Sequence, residues 1–145
     1  MEAIAHRDCL EDKANPKRIM IHYTDTCIFC GRCEEACIND HLGIRLSGDW
    51  ELSFFERKDA YETIEKDLQL CEICGDVIAC KDHLLWLSER LGELTYSSPT
   101  LYLPRLRDLG IVDENLVAPV KDDHRSDRVK ILCARCRRET TLTTK

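Results

Sequence analysis

"CIFCGRCEEAC", residues 27–37, sets four cysteines in the order C-x2-C-x2-C-x3-C. Three thiolates at steps of three residues on one tight loop can face a single inorganic cube, so the run is spaced for a [4Fe–4S] cluster. Gly31, between the second and third cysteines, lets backbone approach a bulky group. In such a run Cys27, Cys30 and Cys33 ligate the cluster at hand. The fourth cysteine, here Cys37, points away and serves a neighbouring cluster where there is one. The fourth ligand therefore has two candidates. Cys9, 18 residues before Cys27, stands near where the last cysteine of a preceding run would fall, and it is the favoured choice. Cys37 is the competitor. Ile38 takes the place of the proline usual after such a run, which loosens the local geometry and leaves either choice open.

The flanks read outward from this loop. In "RIMIHYTD", 18–25, Ile19, Ile21 and Tyr23 alternate, which predicts a short strand feeding the cysteines. "LGIRLSGDWELSFF", 42–55, predicts a hairpin around Ser47-Gly48-Asp49. Strand, cysteine loop, helical turn and hairpin make a half-ferredoxin module over residues 1–56. From Arg57 the period changes: Ala60, Ile64 and Leu68 fall four apart and predict a helix delivering "LCEIC" at 70–74. A second helix is expected from Asp82, a good N-cap, with Leu84, Leu87, Leu91 and Leu94 as a stripe for a core or subunit interface. Pro99, Pro104 and Gly110 reduce the following stretch to one or two short helical turns. "VAPVKDDHRSDR", 117–128, reads as a polar connector. "VKILCARCRRETTLTT", 129–144, reads as a strand, a CxxC knuckle and a threonine-heavy β end. The expected fold class is α+β: the half-ferredoxin module, then a small helical segment over 57–145 closed by a pair of CxxC knuckles.

Those knuckles are Cys71 with Cys74 and Cys133 with Cys136. Each offers two sulfurs from one turn, and together they suit a tetrahedral zinc or a rubredoxin-type iron. Zinc is favoured because a closed four-thiolate site holds this redox-silent ion well. The 58 residues between the knuckles would be stapled at their base. The alternative joins the knuckles with Cys80 and Cys37 around a second cluster, although Cys80 reads better as a small buried side chain. His6, His22, His41, His83 and His124 are scattered and read as surface or hydrogen-bonded residues, with His83 nearest in sequence to Cys80.

Composition agrees with metal. The chain has 145 residues and is 43% hydrophobic, but it has few aromatics, so its core needs a staple. The opening "MEAIAHRDCLEDKANP" is polar, unlike a secretory leader, and no apolar run approaches ~18 residues. A cytoplasmic setting is therefore expected. There thiols stay reduced, and the ten cysteines read as ligands rather than disulfides. The net charge of −6 hides a basic end: residues 121–145 hold eight basic and four acidic side chains, leaving thirteen and twenty-three before them. An acidic body counts against nucleic acid as a partner. The basic end suits an acidic partner or an anionic membrane face, or is a solvated flank.

"CIFCGRCEEAC", "GIRLSGDWELSF", "LQLCEICG", "KDHLLWLSERLGEL" and "LCARCRRETTL" together resemble the ferredoxin-type subunit of formate hydrogenlyase and energy-converting membrane [NiFe] hydrogenases. More distantly they are similar to the two-cluster iron–sulfur subunit of respiratory complex I. The likeness covers residues 18–96 and 130–143. It implies an electron-transfer subunit whose cluster relays electrons between a donor module and a hydrogenase module, with hydrogenase small and large subunits or another redox module, and membrane-complex subunits, as its partners. Its place would be peripheral, on the inner face of the cytoplasmic membrane. The family's first C-x2-C-x2-C run has no counterpart in this sequence, which reads either as a one-cluster branch or as a longer native N-terminus that would restore a second cluster; the one complete motif present carries one [4Fe–4S] cluster. No nucleophile–base pair, phosphate loop or dinucleotide fingerprint is present, so no catalytic site of its own is expected. The rival reading is a zinc-knuckle and iron–sulfur adaptor or assembly protein whose cluster is structural. An iron–sulfur regulator is disfavoured by the acidic body.

Overall fold

In the computed structural model, which describes residues 3–40, 42–48, 52–112 and 129–142, the chain is α+β. Strands β1 (Ile4–Cys9), β2 (Lys17–Tyr23), β3 (Tyr61–Leu70) and β4 (Val77–Cys80) pair as an antiparallel sheet in the order β1-β2-β3-β4. The helices are the single turn α1 (Arg32–Glu35), then α2 (Lys81–Leu91), α3 (Pro99–Asp108) and α4 (Ala134–Leu142). The chain divides into two compact units: Met1–Arg7 with Ile19–Glu65, and Asp8–Arg18 with Lys66–Lys145.

In the first unit the alternation at 18–25 forms β2, as its pattern predicts. The chain leaves it through Thr24, whose N–H donates to the carbonyl of buried Ala60 at 3.1 Å. Asp25 then pairs with Arg57 at 2.6 Å. The hairpin expected at 42–55 is not found: residues 42–48 and 52–55 carry no strand, while 49–51 lie outside the described residues. The backbone groups there have loop partners instead. Leu42 N–H donates to Asn39 O at 2.8 Å, and Leu46 N–H to Glu34 Oε2 at 3.2 Å. Leu42, Ile44 and Leu46 all stay exposed, so no buried face enforces a strand register. Two elements were not foreseen, β1 and β4: β1 interrupts its apolar residues with His6, Arg7 and Asp8, and β4 is an apolar run of only four residues.

The helix expected through Ala60, Ile64 and Leu68 is a strand, β3. A spacing of four is shared by a helical face and by every second residue of one strand face, so it cannot separate the two periods. Tyr61, Thr63 and Ile64 supply the aromatic and β-branched character that favours the pleated form. Only Leu68 of the three expected helix-face residues in β3's neighbourhood lies fully in the second unit's core, at 1% exposure; Ile64 is 64% exposed. The end of β3 pairs with β4 in the register Leu68↔Cys80, Gln69↔Ala79 and Leu70↔Val77. The register slips between Gln69 and Leu70, a bulge that bends the strand immediately before Cys71.

Helix α2 starts at Lys81 with Cys80 as N-cap, one residue ahead of the expected start; Asp82 lies in its first turn and pairs with Lys66 at 2.6 Å. A carboxylate there complements the helix macrodipole. The leucine stripe divides: Leu84 is buried and Leu87 half-buried, whereas Leu91 and Leu94 are exposed. Helix α3 is longer than the expected turns. Pro99 sits at its first position, where no N–H is needed, and Pro104 forgoes one internal bond. It closes in a Schellman motif: Ile111 N–H reaches Leu106 O at 3.1 Å and Gly110 N–H reaches Arg107 O at 2.9 Å, with Gly110 at φ +66°. The strand and β end expected at 129–144 are replaced by an irregular run, 129–133, and helix α4. Ala134, Glu139 and three arginines are adequate helix formers, and Arg137 N–H bonds Cys133 O at 3.0 Å as the first turn closes. The connector at 117–128 lies outside the described residues. Among the described residues no helix is long and apolar enough to cross a membrane.

Among the described residues the second unit's core is small: Leu68, Leu84 and Ile131 with the thiols of Cys71 and Cys136. Its buried hydroxyls are satisfied. Thr95 Oγ1 donates to Ser88 O at 2.7 Å and Thr100 Oγ1 to Leu132 O at 2.8 Å. Replacing Leu68 by alanine should cost about 2–5 kcal/mol in denaturant unfolding, while Ile64→Ala should stay within about 0.5 kcal/mol. Equal losses at the two positions would instead fit the helical face that the spacing alone suggests.

Candidate metal centre

Cys71 follows the β3 bulge, and a tight loop turns the chain back on itself there. Cys71 N–H donates to Asp76 O at 2.8 Å, and Gly75 N–H to Cys71 O at 3.0 Å. Gly75 takes φ +75°, a conformation that strains any residue with a Cβ. This turn sets Cys71 and Cys74 on one side of the loop. The second pair comes from the junction of the 129–133 run with α4, where Cys136 N–H points at Cys133 Sγ at 3.5 Å. Backbone pairing joins the two knuckles: Glu72 N–H donates to Ile131 O at 3.0 Å.

The result is four sulfurs, Cys71, Cys74, Cys133 and Cys136, all within 4.8 Å of one another. Cys74 Sγ and Cys133 Sγ are 3.7 Å apart. A zinc–thiolate bond of ~2.3 Å in tetrahedral geometry places its sulfurs about 3.8 Å apart, so the spacing fits a single ion. It is far longer than a disulfide bond of ~2.05 Å. Cys71 and Cys136 are buried, and Cys74 and Cys133 lie closer to solvent. Four soft ligands, half of them sealed from water, suit zinc or a single iron.

The electrostatics of the thiols point the same way. Burial works against ionisation of Cys71. The backbone N–H groups of Cys74, Cys133 and Ile73 outweigh it and bring the thiol down to about 6. Cys136 is pushed up to about 12, first by burial and then by the neighbouring Cys74, Cys133 and Cys71. One thiolate is thus favoured and the last is resisted. A cation at the centre relieves that mutual repulsion and takes all four sulfurs as thiolates. Arg135, inside the second knuckle, lies against Cys74 and pairs with Asp76 at 3.2 Å, placing a positive charge at the rim of an anionic centre.

The run at 27–37 is built differently. Cys27 N–H donates to Tyr23 O at 3.1 Å, and α1 carries Cys33. Cys37 N–H donates to Glu34 O at 3.2 Å. Phe29 at φ +51° and Gly31 at φ +74° put left-handed backbone on both sides of Cys30. Gly31 is thus required for its φ; a Cβ there would meet its nearest neighbour, Leu46 Cδ1, at an ordinary 3.9 Å. Gly43 matters for space, because a Cβ would stand 3.1 Å from Cys37 Sγ. Among the described residues the ligand groups close enough for one ion comprise the Cys71–Cys136 foursome and not this run. A cube holds its thiolates farther apart than a single ion does, so that distance does not bear on a cluster. Cys9 ends β1 and belongs to the second unit. Cys80 is half-buried at the start of α2, beside the Arg18 guanidinium that Asp8 holds at 2.7 Å, and it is outside the foursome. His6, His22 and His83 are likewise outside it, and His41 and His124 lie beyond the described residues.

The spacing of the CxxC pairs singles out the four cysteines but not the residues around them, Glu72, Gly75, Asp76 and Arg135, nor Gly43 beside Cys37. Gly75, directly after the CxxC, was the legible signal of a turn that needs positive φ. No protein-family model matches the chain, and no curated protein matches its sequence.

Purified protein should carry one tightly held ion at this centre, and Cys133→Ala should abolish it in metal analysis. In the metal-free chain one thiol should ionise near pH 6, read by thiolate ultraviolet absorbance, and Cys71→Ser should remove that step. Ionisation confined to values above about pH 8, as for free cysteine, would contradict this arrangement.

Proposed function

We propose that the protein is an electron-transfer subunit with a [4Fe–4S] cluster on Cys27, Cys30, Cys33 and a fourth cysteine, and a structural zinc on Cys71, Cys74, Cys133 and Cys136. The observation that carries the reading is the backbone around Cys30. Left-handed residues on both sides of it, at Phe29 and Gly31, turn successive amides in alternate senses. Such turns form concavities of N–H groups that receive anions and iron–sulfur clusters. A phenylalanine in left-handed backbone costs about 1–2 kcal/mol, and strain of this kind gathers at functional loops. Bound there, a cluster would supply one-electron transfer. The chain's part is to hold three thiolates on one loop and to turn amide hydrogens toward their sulfurs, which tunes the potential.

The surroundings fit a relay inside a larger assembly. Cys30 is exposed, and Ile28, Ile38 and Leu42 leave 83%, 63% and 82% of their surface in water. Apolar side chains left open around such a loop suit a face covered by a redox partner. The resemblance drawn from the sequence names that partner class: the modules of a membrane-associated hydrogenase or formate hydrogenlyase-like complex, with this subunit peripheral on its cytoplasmic side. The small core stapled by a four-thiolate centre favours a second reading, an adaptor whose metals are structural.

Anaerobic reconstitution should give about four irons per chain, following from one complete cluster motif. EPR should show a signal that appears on reduction and vanishes reversibly on reoxidation, and Cys30→Ser should lose it. A cluster that cannot be reduced without unfolding the protein would favour the adaptor.

A further inference from the structure

We propose that Glu72 is the positioning residue of the four-cysteine centre: its carboxylate sets the two knuckles in register so that the second pair of sulfurs meets the first. The proposal rests on the reading of Cys71, Cys74, Cys133 and Cys136 as a metal centre.

Glu72 occupies the first of the two positions between Cys71 and Cys74. Its backbone N–H donates to Ile131 O at 3.0 Å, and its side-chain Oε2 accepts the N–H of the same residue at 3.3 Å. One residue of the first knuckle thus takes both polar backbone groups of Ile131, which lies 59 positions further along the chain. Ile131 is fully buried, so its amide has no access to water and needs a protein acceptor. The other carboxylate oxygen pairs with Arg107 of α3 at 3.5 Å, which limits the rotation of the side chain. Two residues beyond Ile131 comes Cys133, the ligand whose sulfur lies 3.7 Å from Cys74. Fixing Ile131 on both sides therefore fixes where the second knuckle begins. Without the carboxylate, the backbone bond from Glu72 and the Thr100 hydroxyl on Leu132 O would still hold the segment, but neither takes the N–H of Ile131.

The two functions of the carboxylate can be separated by chemistry. Glu72→Gln keeps the chain length and an acceptor oxygen for Ile131 N–H but loses the charge facing Arg107. Glu72→Asp keeps the charge but is one methylene short of Ile131. If acceptance of the amide is what positions the site, the glutamine variant should behave like the native protein and the aspartate variant should not. The simple view of Glu72 as a surface ion-pair partner makes the opposite forecast.

The test uses the full chain, loaded with cobalt(II) and with zinc in competition against a chromophoric chelator. Native protein should bind one ion with a four-thiolate cobalt spectrum. Glu72→Ala should bind about 10–100-fold more weakly, the usual effect of removing a group that supports a metal ligand. Glu72→Asp should lose at least about fivefold, and Glu72→Gln should stay within about threefold. The weakened variants should also show cobalt bands shifted toward fewer thiolates, with far-ultraviolet circular dichroism of the metal-free chain unchanged. Should Glu72→Ala fail to fold, the Asp and Gln pair decides the matter. Alanine and aspartate variants that bind within threefold of native overturn the proposal, as does a glutamine variant as weak as the aspartate one. Native protein that binds no ion at all overturns instead the reading of the four cysteines on which it stands.

Discussion

Convergence of four thiols from two knuckles is the constraint on which the second unit depends. Among the described residues the apolar core beside them consists of little more than Leu68, Leu84 and Ile131, and two of the most deeply buried side chains belong to the four cysteines themselves, Cys71 and Cys136. Without a cation this arrangement works against itself, because desolvation and neighbouring sulfurs hold Cys136 protonated up to about 12. With one, the repulsion among thiolates becomes ligation. Structural zinc contributes on the order of 10 kcal/mol or more in small modules, comparable to the whole stability of an ordinary domain. The bulge in β3, the positive φ of Gly75 and the start of α4 all serve to aim sulfurs at that point.

The convergence of the four cysteines was legible in the sequence and much of the scaffold was not. CxxC at 71–74 and 133–136 singles out the four thiols because a four-thiolate site takes two sulfurs from one turn, wherever the chain has been between them. Strand β2 was legible for a similar reason, an unbroken alternation over Ile19, Ile21 and Tyr23. The helix expected over 57–70 failed because residues four apart satisfy both the helical and the strand period, and the β-branched composition of Tyr61–Ile64 was the better guide. The C-terminal threonines misled in the other direction. There the helix continues out of the Cys133–Cys136 turn, so the knuckle, not β propensity, sets the local conformation. The hairpin at 42–55 had apolar arms but no face to bury, a fact only the fold can supply.

The first unit is organised around its loop rather than around a core. Its cysteines run through a segment with left-handed residues at Phe29, Gly31 and Asp40, and Gly43 clears space beside Cys37. Apolar side chains near the run remain open to water. A redox subunit in a larger assembly would use both properties, a backbone prepared for an anionic cluster and a surface completed by a partner. In the adaptor reading the same loop would serve only as a second staple. Under the proposed function, a redox-silent staple would be paired with a redox-active loop.

X-ray absorption at the metal edge of the purified, full-length protein tests the central claim most directly. For the ion held by Cys71, Cys74, Cys133 and Cys136 the account predicts a zinc edge with four sulfur neighbours at about 2.3 Å and no nearby metal scatterer. A shell containing nitrogen or oxygen, or iron–iron scattering with no zinc present, would contradict a closed four-thiolate centre.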